Sequence, residues 1–390
     1  MSDGWEALKA VVPSAPDWRI DWQAVERSPL GVWIEPLAGT IQDAQWHGEG
    51  NVWNHTKLVC ECLVNIREFR RLDRAMQETL FLAALLHDIG KIRTTKLEDG
   101  RIRTPRHGEV GSRMARVFLW TQCGLCGMKE KQIARETICR IVRYHMAPPH
   151  MLHGDTYRQR VLRIAAEGEL LPEFTIERLA ILSQADNRGR ICDDLDEQLE
   201  LIELSCEYAK EQGCFAGPAM FAGKHVQRAY FAGRDIQPDQ PLYDDTWGEV
   251  ILMCGLPGTG KDTWIAQNCA DLPVVSLDDI RDQMGVKPTD NQGAVVQAGK
   301  ESARKLLRAH QPFVMNATHL TPISREPLIR LFEQYGARVR IVYLETEWDE
   351  QVRRNGQREK QVPLGVIADM LERLCVPERH EAAMVEWICV

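Results

Sequence analysis

Between Glu249 and Trp264 the chain reads EVILMCGLPGTGKDTW: an apolar run, a turn holding three glycines, and the opening of a helix. No other stretch restricts the fold so much. Gly255, Gly258 and Gly260 allow a backbone path that residues with a Cβ resist. The pattern G-x-x-x-x-G-K-[ST], set between a strand and a helix, aims backbone N–H groups and a helix N-terminus at phosphate oxygens. One position departs from it. The residue after Lys261 is Asp262, and the hydroxyl that would hold Mg²⁺ comes one step later, as Thr263. A carboxylate is a hard oxygen ligand for that ion. The loop therefore reads as a working nucleotide site formed by Gly255, Gly258, Thr259, Gly260, Lys261, Asp262 and Thr263.

Around this turn, short β-type runs at 250–254, 273–276, 312–316 and 338–344 alternate with helical stretches. Such alternation predicts a parallel sheet with helices on both faces, so 248–390 should form a doubly wound α/β domain. Upstream the texture differs. From about 54 to 210 apolar residues recur at helical spacing, as in Leu58, Val59, Cys62, Leu63 and Ile66. An all-α domain is expected over 1–211, including a Trp- and Pro-rich N-terminal extension. Gly, Pro and aromatic residues dominate 212–247, which is the composition of a connector. A length of 390 residues suits two principal domains.

The helical region holds a set of metal-ligand side chains. AALLHDIGKIRTT ends an apolar helix with His87-Asp88, and Gly90 is placed to terminate it. His55 lies at the start of another helix, His107 opens one, His145 closes one, and Asp186 sits near the end of one more. Imidazoles and carboxylates at helix ends are what a metal site on a helical scaffold requires, and this mixture suits Fe, Mn²⁺, Co²⁺, Ni²⁺ or Zn²⁺. The order H…HD…H…H…D resembles the HD phosphohydrolase superfamily, and HGEGNVWNHTKLV resembles the opening segment of its nucleic-acid-processing members. The resemblance covers about 45–210. It implies metal ligation by His55, His87, Asp88 and Asp186, and a second ion through His107 and His145. It also implies that Lys91 neutralises a substrate phosphate and that His47 contacts one.

Composition narrows the partners. The net charge of −8 argues against coating long nucleic acid with a broad basic face, though not against gripping an end. One stretch, from Lys91 to Arg106, carries six basic residues against Glu98 and Asp99 and would draw a polyanion toward the His-Asp pair. No apolar run approaches the ~20 residues of a membrane span, and the N-terminus lacks the pattern of a secretory signal. A cytoplasmic location is expected, with the 12 cysteines mostly reduced. Cys123-Gly-Leu-Cys126 has no second pair at zinc-site spacing.

In the α/β half, SLDDIR puts a carboxylate just beyond a strand end, where it can accept a proton from an attacking hydroxyl. Arg354 and Arg358 stand at i,i+4, as a phosphate-closing lid would on one helix face. This half resembles the kinase domain of phage and bacterial polynucleotide 5′-kinases over about 248–390. The resemblance implies Asp278 as general base, Arg281 on the acceptor's phosphate, Arg354 and Arg358 as the lid pair, and Thr318 lining the acceptor site. His319 departs from the Asn expected there.

An HD domain followed by such a kinase resembles the bacterial HD–polynucleotide kinase end-healing enzymes across nearly the whole chain. That resemblance implies phosphorylation of a polynucleotide 5′-OH from an NTP with Mg²⁺. It also implies removal of phosphate from 2′,3′-cyclic or 3′-phosphate ends, in functional partnership with a separate ligase. Two alternatives stand beside it: an HD nucleotidase fused to a nucleoside or sugar kinase, and an ATP-gated regulatory protein with a vestigial metal site.

Overall fold

The computed structural model describes residues 4–390. They form two compact units, one comprising the chain up to Cys126 and Glu130–Met220, the other Phe221–Val390 with residues 127–129. The first is helical. The residues of interest come from the helices Val52–Asn65, Arg74–Leu86, His107–Thr121, Lys129–Tyr144 and Ile176–Arg188. Side-chain caps fix where three of these begin. Asn51 Oδ1 accepts from the N–H of Asn54 at 2.9 Å, Asp73 Oδ1 from Met76 at 2.9 Å, and Thr175 Oγ1 from Arg178 at 3.2 Å. Each cap contributes about 1 kcal/mol and decides which turn presents the ligand further along. Leu80, Leu82, Leu86 and Val59 are wholly buried, each contributing about 1.5–3 kcal/mol.

The helices His107–Thr121 and Lys129–Tyr144 are joined by a buried charge cluster. Arg116 Nε and Nη2 each donate to Glu136 at 2.8 Å, and Arg135 Nε donates to the same carboxylate at 2.9 Å. The Arg135 guanidinium also lies 4.1 Å from the Trp120 ring centroid. Burial would raise the Glu136 carboxyl, but the guanidiniums of Arg116 and Arg135 pull it down to about 2. This brace sets the two helices that begin at His107 and end before His145.

One element breaks the all-helical expectation for this unit. Strands β1 (Lys96–Glu98) and β2 (Arg101–Arg103) form an antiparallel hairpin. Asp99 and Gly100 turn it with φ of 50° and 75°, the positive pair that a two-residue hairpin loop of matching twist needs.

The second unit is a five-stranded sheet with every pair parallel. Its strands are β3 (Gly248–Cys254), β4 (Val274–Ser276), β5 (Phe313–Asn316), β6 (Ala337–Glu345) and β7 (Met384–Cys389), in the order β4-β5-β3-β6-β7. The first four correspond to the β runs read from sequence. The fifth was not read; it is MVEWIC, the edge strand β7, paired only with β6 and carrying Glu386 as its one polar residue. Ile251, Met253, Val314, Val342 and Leu344 pack with Ile265 and Cys269 of the helix that follows β3. The order reverses about β3, so the crevice outside its carboxyl end is the natural binding position. The 212–247 stretch carries a helix, Lys224–Phe231, and from Phe221 onward it belongs to the second unit. Arg228 grips Glu333 at 2.6 and 2.8 Å, and Trp247 Nε1 donates to Tyr335 O at 2.7 Å.

Glu136→Gln should lower the stability of the helical unit by about 3–5 kcal/mol, because two buried guanidiniums lose their counter-charge. The Glu136 carboxyl is depressed by folding, so its contribution is complete above about pH 4.3 and fades as pH falls toward 2. Urea unfolding of both proteins at neutral and acid pH checks this: the gap between them should shrink in acid.

Candidate metal centre and nucleotide cleft

Asp88 is where the polar side chains of the helical unit converge. Its carboxylate is buried, and the Nε2 atoms of His87, His107, His55 and His145 lie 3.3, 3.3, 3.7 and 3.9 Å from its oxygens. Asp186 Oδ1 stands 2.9 Å from His55 Nε2 and 3.7 Å from His87 Nε2. Six side chains drawn from five helix ends thus share one small volume.

The rings are oriented from behind. His87, His107 and His145 donate Nδ1–H to carbonyls three residues earlier, those of Ala84, Thr104 and Val142, at 2.7, 2.9 and 2.7 Å. A carbonyl only accepts, so the proton is fixed on Nδ1 and Nε2 keeps its lone pair. Burial depresses His107 and brings His145 down to about 3, so both are neutral. His55 differs. Burial opposes its protonation, yet hydrogen bonding to Asp186 and Glu49 raises it to about 9.

These donors fit a metal. His107 Nε2 and His145 Nε2 face one another at 3.3 Å, two lone pairs with no proton between them. His87 Nε2 and both Asp88 oxygens are buried without a hydrogen bond of good geometry, although Lys91 Nζ sits 2.7 Å from Asp88 Oδ2. Five of these side chains fall into two groups of potential ligand atoms, His55–His87–Asp88 and Asp88–His107–His145, each within 4.8 Å, and Asp186 belongs to neither. Asp88 is common to both. No cysteine belongs to such a group among the described residues, and Cys123 and Cys126 are buried thiols.

Sequence reasoning missed Glu49. Its Oε1 faces His47 Nδ1 at 2.8 Å and His55 Nδ1 at 3.0 Å, and its Oε2 accepts from Ile191 N–H at 3.1 Å. Burial alone would raise this carboxyl; the two imidazoles hold it far below the ordinary range. Glu49 orients His55 as an outer carboxylate orients a metal-bound imidazole. The signal was the spacing His47-x-Glu49. Gln42 was missed too; its Oε1 accepts from Lys91 Nζ at 2.7 Å. Gly90 acts differently from the expected terminator, since its φ is −63°. It provides space: a Cβ there would lie 2.0 Å from His107 O.

In the second unit, β3 runs into a turn where Gly255, Gly258 and Gly260 have φ of 142°, 82° and 83°. Lys261 Nζ curls back to donate to the carbonyls of Gly255 and Leu256 at 3.0 and 2.8 Å, and enclosure by the loop lowers it to about 8. Asp262 Oδ1 accepts from Nδ2 of Asn316, the last residue of β5, at 2.7 Å, while Thr263 is exposed.

The remaining candidates surround the same cleft, of about 1770 Å³, lined by Lys261, Asp278, Arg281, Thr318, Arg354 and Arg358. Asp278 and Arg281 lie one turn apart on the helix Leu277–Gln283 and pair with each other. Arg281 Nε also donates to Gln292 Oε1 at 2.8 Å. Arg354 donates to Glu350 at 2.6 Å. The helix expected to carry both lid arginines ends at Gly356, so Arg358 stands in the turn beyond it. His319 is buried with φ of 39°, and donates Nδ1–H to Met253 O at 2.9 Å. Burial lowers it to about 4, and its place is to tie the β5 loop to β3.

Two tests follow from this geometry. His87→Ala or Asp88→Ala should lower the metal content of the purified protein as measured by elemental analysis; full occupancy would remove either residue from the ligand set. Lys261 must be charged to hold phosphate. ATP affinity should therefore fall by up to about tenfold per pH unit above pH 8, as the free amine loses its proton. Calorimetry at pH 9 should detect uptake of a proton on binding, and a pH-independent affinity would contradict the assignment.

Comparison with known proteins adds to this. The HD-domain family model matches residues 52–196, and the AAA-domain model matches 250–377. Heterogeneous nuclear ribonucleoprotein U-like protein 2 of Mus musculus and of Homo sapiens are each 23% identical over 188 residues, 44% of this chain and 25% of the relative. The chain thus spans about a quarter of the length of these curated relatives. Among solved structures, the Pnkp1/Rnl/Hen1 RNA repair complex aligns at 17% identity and a TM-score of 0.31, over 36% of this chain and 47% of that one. A gluconokinase from Sinorhizobium meliloti 1021 aligns at 20% identity and 0.29, over 37% and 85%. The two family matches, in this order, identify the chain as a fusion of an HD domain with a P-loop domain.

Proposed function

We propose that the chain heals broken polynucleotide ends: the P-loop unit phosphorylates a 5′-OH from an NTP, and the HD unit hydrolyses 2′,3′-cyclic phosphate or 3′-phosphate. One observation carries the reading. Each unit holds a phosphate-chemistry site of a different kind, and the cleft beside Lys261, at about 1770 Å³, exceeds the roughly 300–1,000 Å³ of an ordinary small-molecule pocket. It has room for an NTP and an extended acceptor.

In the kinase step the acceptor's 5′ oxygen attacks the γ-phosphorus while the bond to the β-phosphate oxygen breaks and the nucleoside diphosphate leaves. Asp278 takes the hydroxyl proton. Its partner Arg281 turns to the acceptor's phosphate, which frees the carboxylate for that task. Lys261, Arg354 and Arg358 neutralise the transferring group. Asp262 and Thr263 would hold Mg²⁺, which neutralises phosphate charge when bound. In the HD unit, His55, His87, Asp88, Asp186, His107 and His145 would hold one or two transition-metal ions, which supply an acidified water and polarise phosphoryl oxygens. Lys91 and His47 bind the substrate phosphate. A separate ligase would then join the healed ends.

The activities should separate. Lys261→Ala should abolish 5′-phosphorylation and leave 3′-phosphate release intact, whereas Asp278→Asn should lower kinase kcat about 10²–10⁴-fold with ATP binding retained. An RNA bearing a 5′-OH and a 2′,3′-cyclic phosphate, followed at both ends with ATP and several divalent metals, reads out every variant. A nucleoside or sugar accepting phosphate better than the oligonucleotide would sink the proposal.

A further inference from the structure

The hairpin of the helical unit is unexplained by either site. Its register pairs Lys96 with Arg103, Leu97 with Ile102 and Glu98 with Arg101. Side chains alternate along a strand, so Lys96, Glu98, Arg101 and Arg103 share one face, and Leu97 and Ile102 the other. Glu98 is taken by Lys96 at 2.5 Å. Arg101, Arg103 and Arg106 are exposed, and among the described residues no ion pair or side-chain hydrogen bond occupies them. On the opposite face Leu97 is 74% exposed. Unpaired guanidiniums clustered on a chain of net charge −8 run against the character of the rest of the surface.

Both feet of the hairpin stand at the metal centre. β1 begins five residues after Lys91, which touches Asp88, and β2 ends four residues before His107. Even fully extended, such links reach no further than about 14–18 Å. The tight turn at Asp99-Gly100 keeps the arm short and its faces defined.

We propose that this arm grips the single-stranded polynucleotide whose 3′ end the HD unit processes. Arg101, Arg103 and Arg106 bind phosphates upstream of the end. The proposal rests on the phosphoesterase reading above and names its polymer contact. Charge complementarity selects the occupant: planar guanidiniums match phosphate oxygens as bidentate donors, and the backbone of a flexible single strand can follow a short cationic arm.

The test uses the full-length protein with Arg101, Arg103 and Arg106 all changed to Ala, and separately with Leu97→Ser. Substrates are a short single-stranded RNA ending in a 2′,3′-cyclic phosphate, and a 2′,3′-cyclic mononucleotide. The triple variant should raise KM for the RNA about tenfold and flatten the log–log salt dependence of RNA binding by about 2, since each single-strand phosphate contact contributes about 0.7. Fluorescence anisotropy with labelled RNA measures that binding without any metal present. Mononucleotide hydrolysis, kinase activity, metal content and the unfolding midpoint should stay unchanged. Leu97→Ser, on the opposite face, should leave RNA binding and its salt slope unchanged. Equal effects on both substrates, or none on either, would overturn the arm. If metal-loaded wild type hydrolyses the mononucleotide but shows no preference for RNA, the arm is wrong and the phosphoesterase reading stands. Release from neither substrate overturns that reading, and the arm with it.

Discussion

Asp88 is an ionised carboxylate in the middle of a helical core, and the first unit is arranged to make that tolerable. Burying such a charge costs several kcal/mol after relaxation. Burial would push its carboxyl up, but the Lys91 ammonium holds it well below the usual carboxylate range. Its neighbours stand around it only because several helices start or stop at one place. Caps at Asn51, Asp73 and Thr175 set the starts, and Gly90 lets its segment approach the His107 carbonyl closely enough to bring Asp88 beside the next helix. The Arg116–Glu136 brace lies on the same two helices that present His107 and His145. A dication held there would complete the electrostatics, since the Nε2 lone pairs of His107 and His145 face one another beside Asp88.

Much of this was legible in the sequence, for a physical reason. A buried ligand set must come from rigid element ends, and helix ends leave marks: His87-Asp88 closing an apolar run, His107 opening one. The phosphate loop was legible because its function lies in local backbone geometry, which three glycines encode. What stayed hidden depends on residues far apart in sequence. Glu49 matters because Ile191 N–H holds its carboxylate from the far side of the fold. Asn316 matters because β5 ends beside the phosphate loop. Arg358 escaped a spacing argument because its helix stops at Gly356, two residues early. The hairpin is a different case. Asp99-Gly100 between alternating residues is a strong local signal, overridden by the helical pattern on either side.

Sheet order accounts for the second unit. The turn after β3, the helix after β4 with Asp278, the loop after β5 with Thr318, and the helix after β6 with Arg354 all leave carboxyl ends of parallel strands. A parallel sheet delivers these segments to one edge whatever their spacing in sequence. That is why the short motifs, read separately, converge on one cleft.

Three of the cations that line the cleft are engaged by the protein's own anions or carbonyls. Arg281 pairs with Asp278, Arg354 with Glu350, and Lys261 with two loop carbonyls. These contacts solve a problem that the chemistry creates. Lys261, Arg281, Arg354 and Arg358 line one space and repel one another until phosphates enter. Asp278 is largely exposed, and solvent screens such a pair to a worth of about 0–1 kcal/mol. Breaking it costs little compared with a charge-assisted, bidentate contact to phosphate, which is stronger and less wet. On the kinase reading proposed above, an acceptor that brings a phosphate would draw Arg281 from Asp278 and uncover the base in one move. A hydroxyl without a phosphate beside it would leave the pair closed. The pairing would then favour a polynucleotide 5′ end, with its adjoining phosphodiester, over a free nucleoside or sugar.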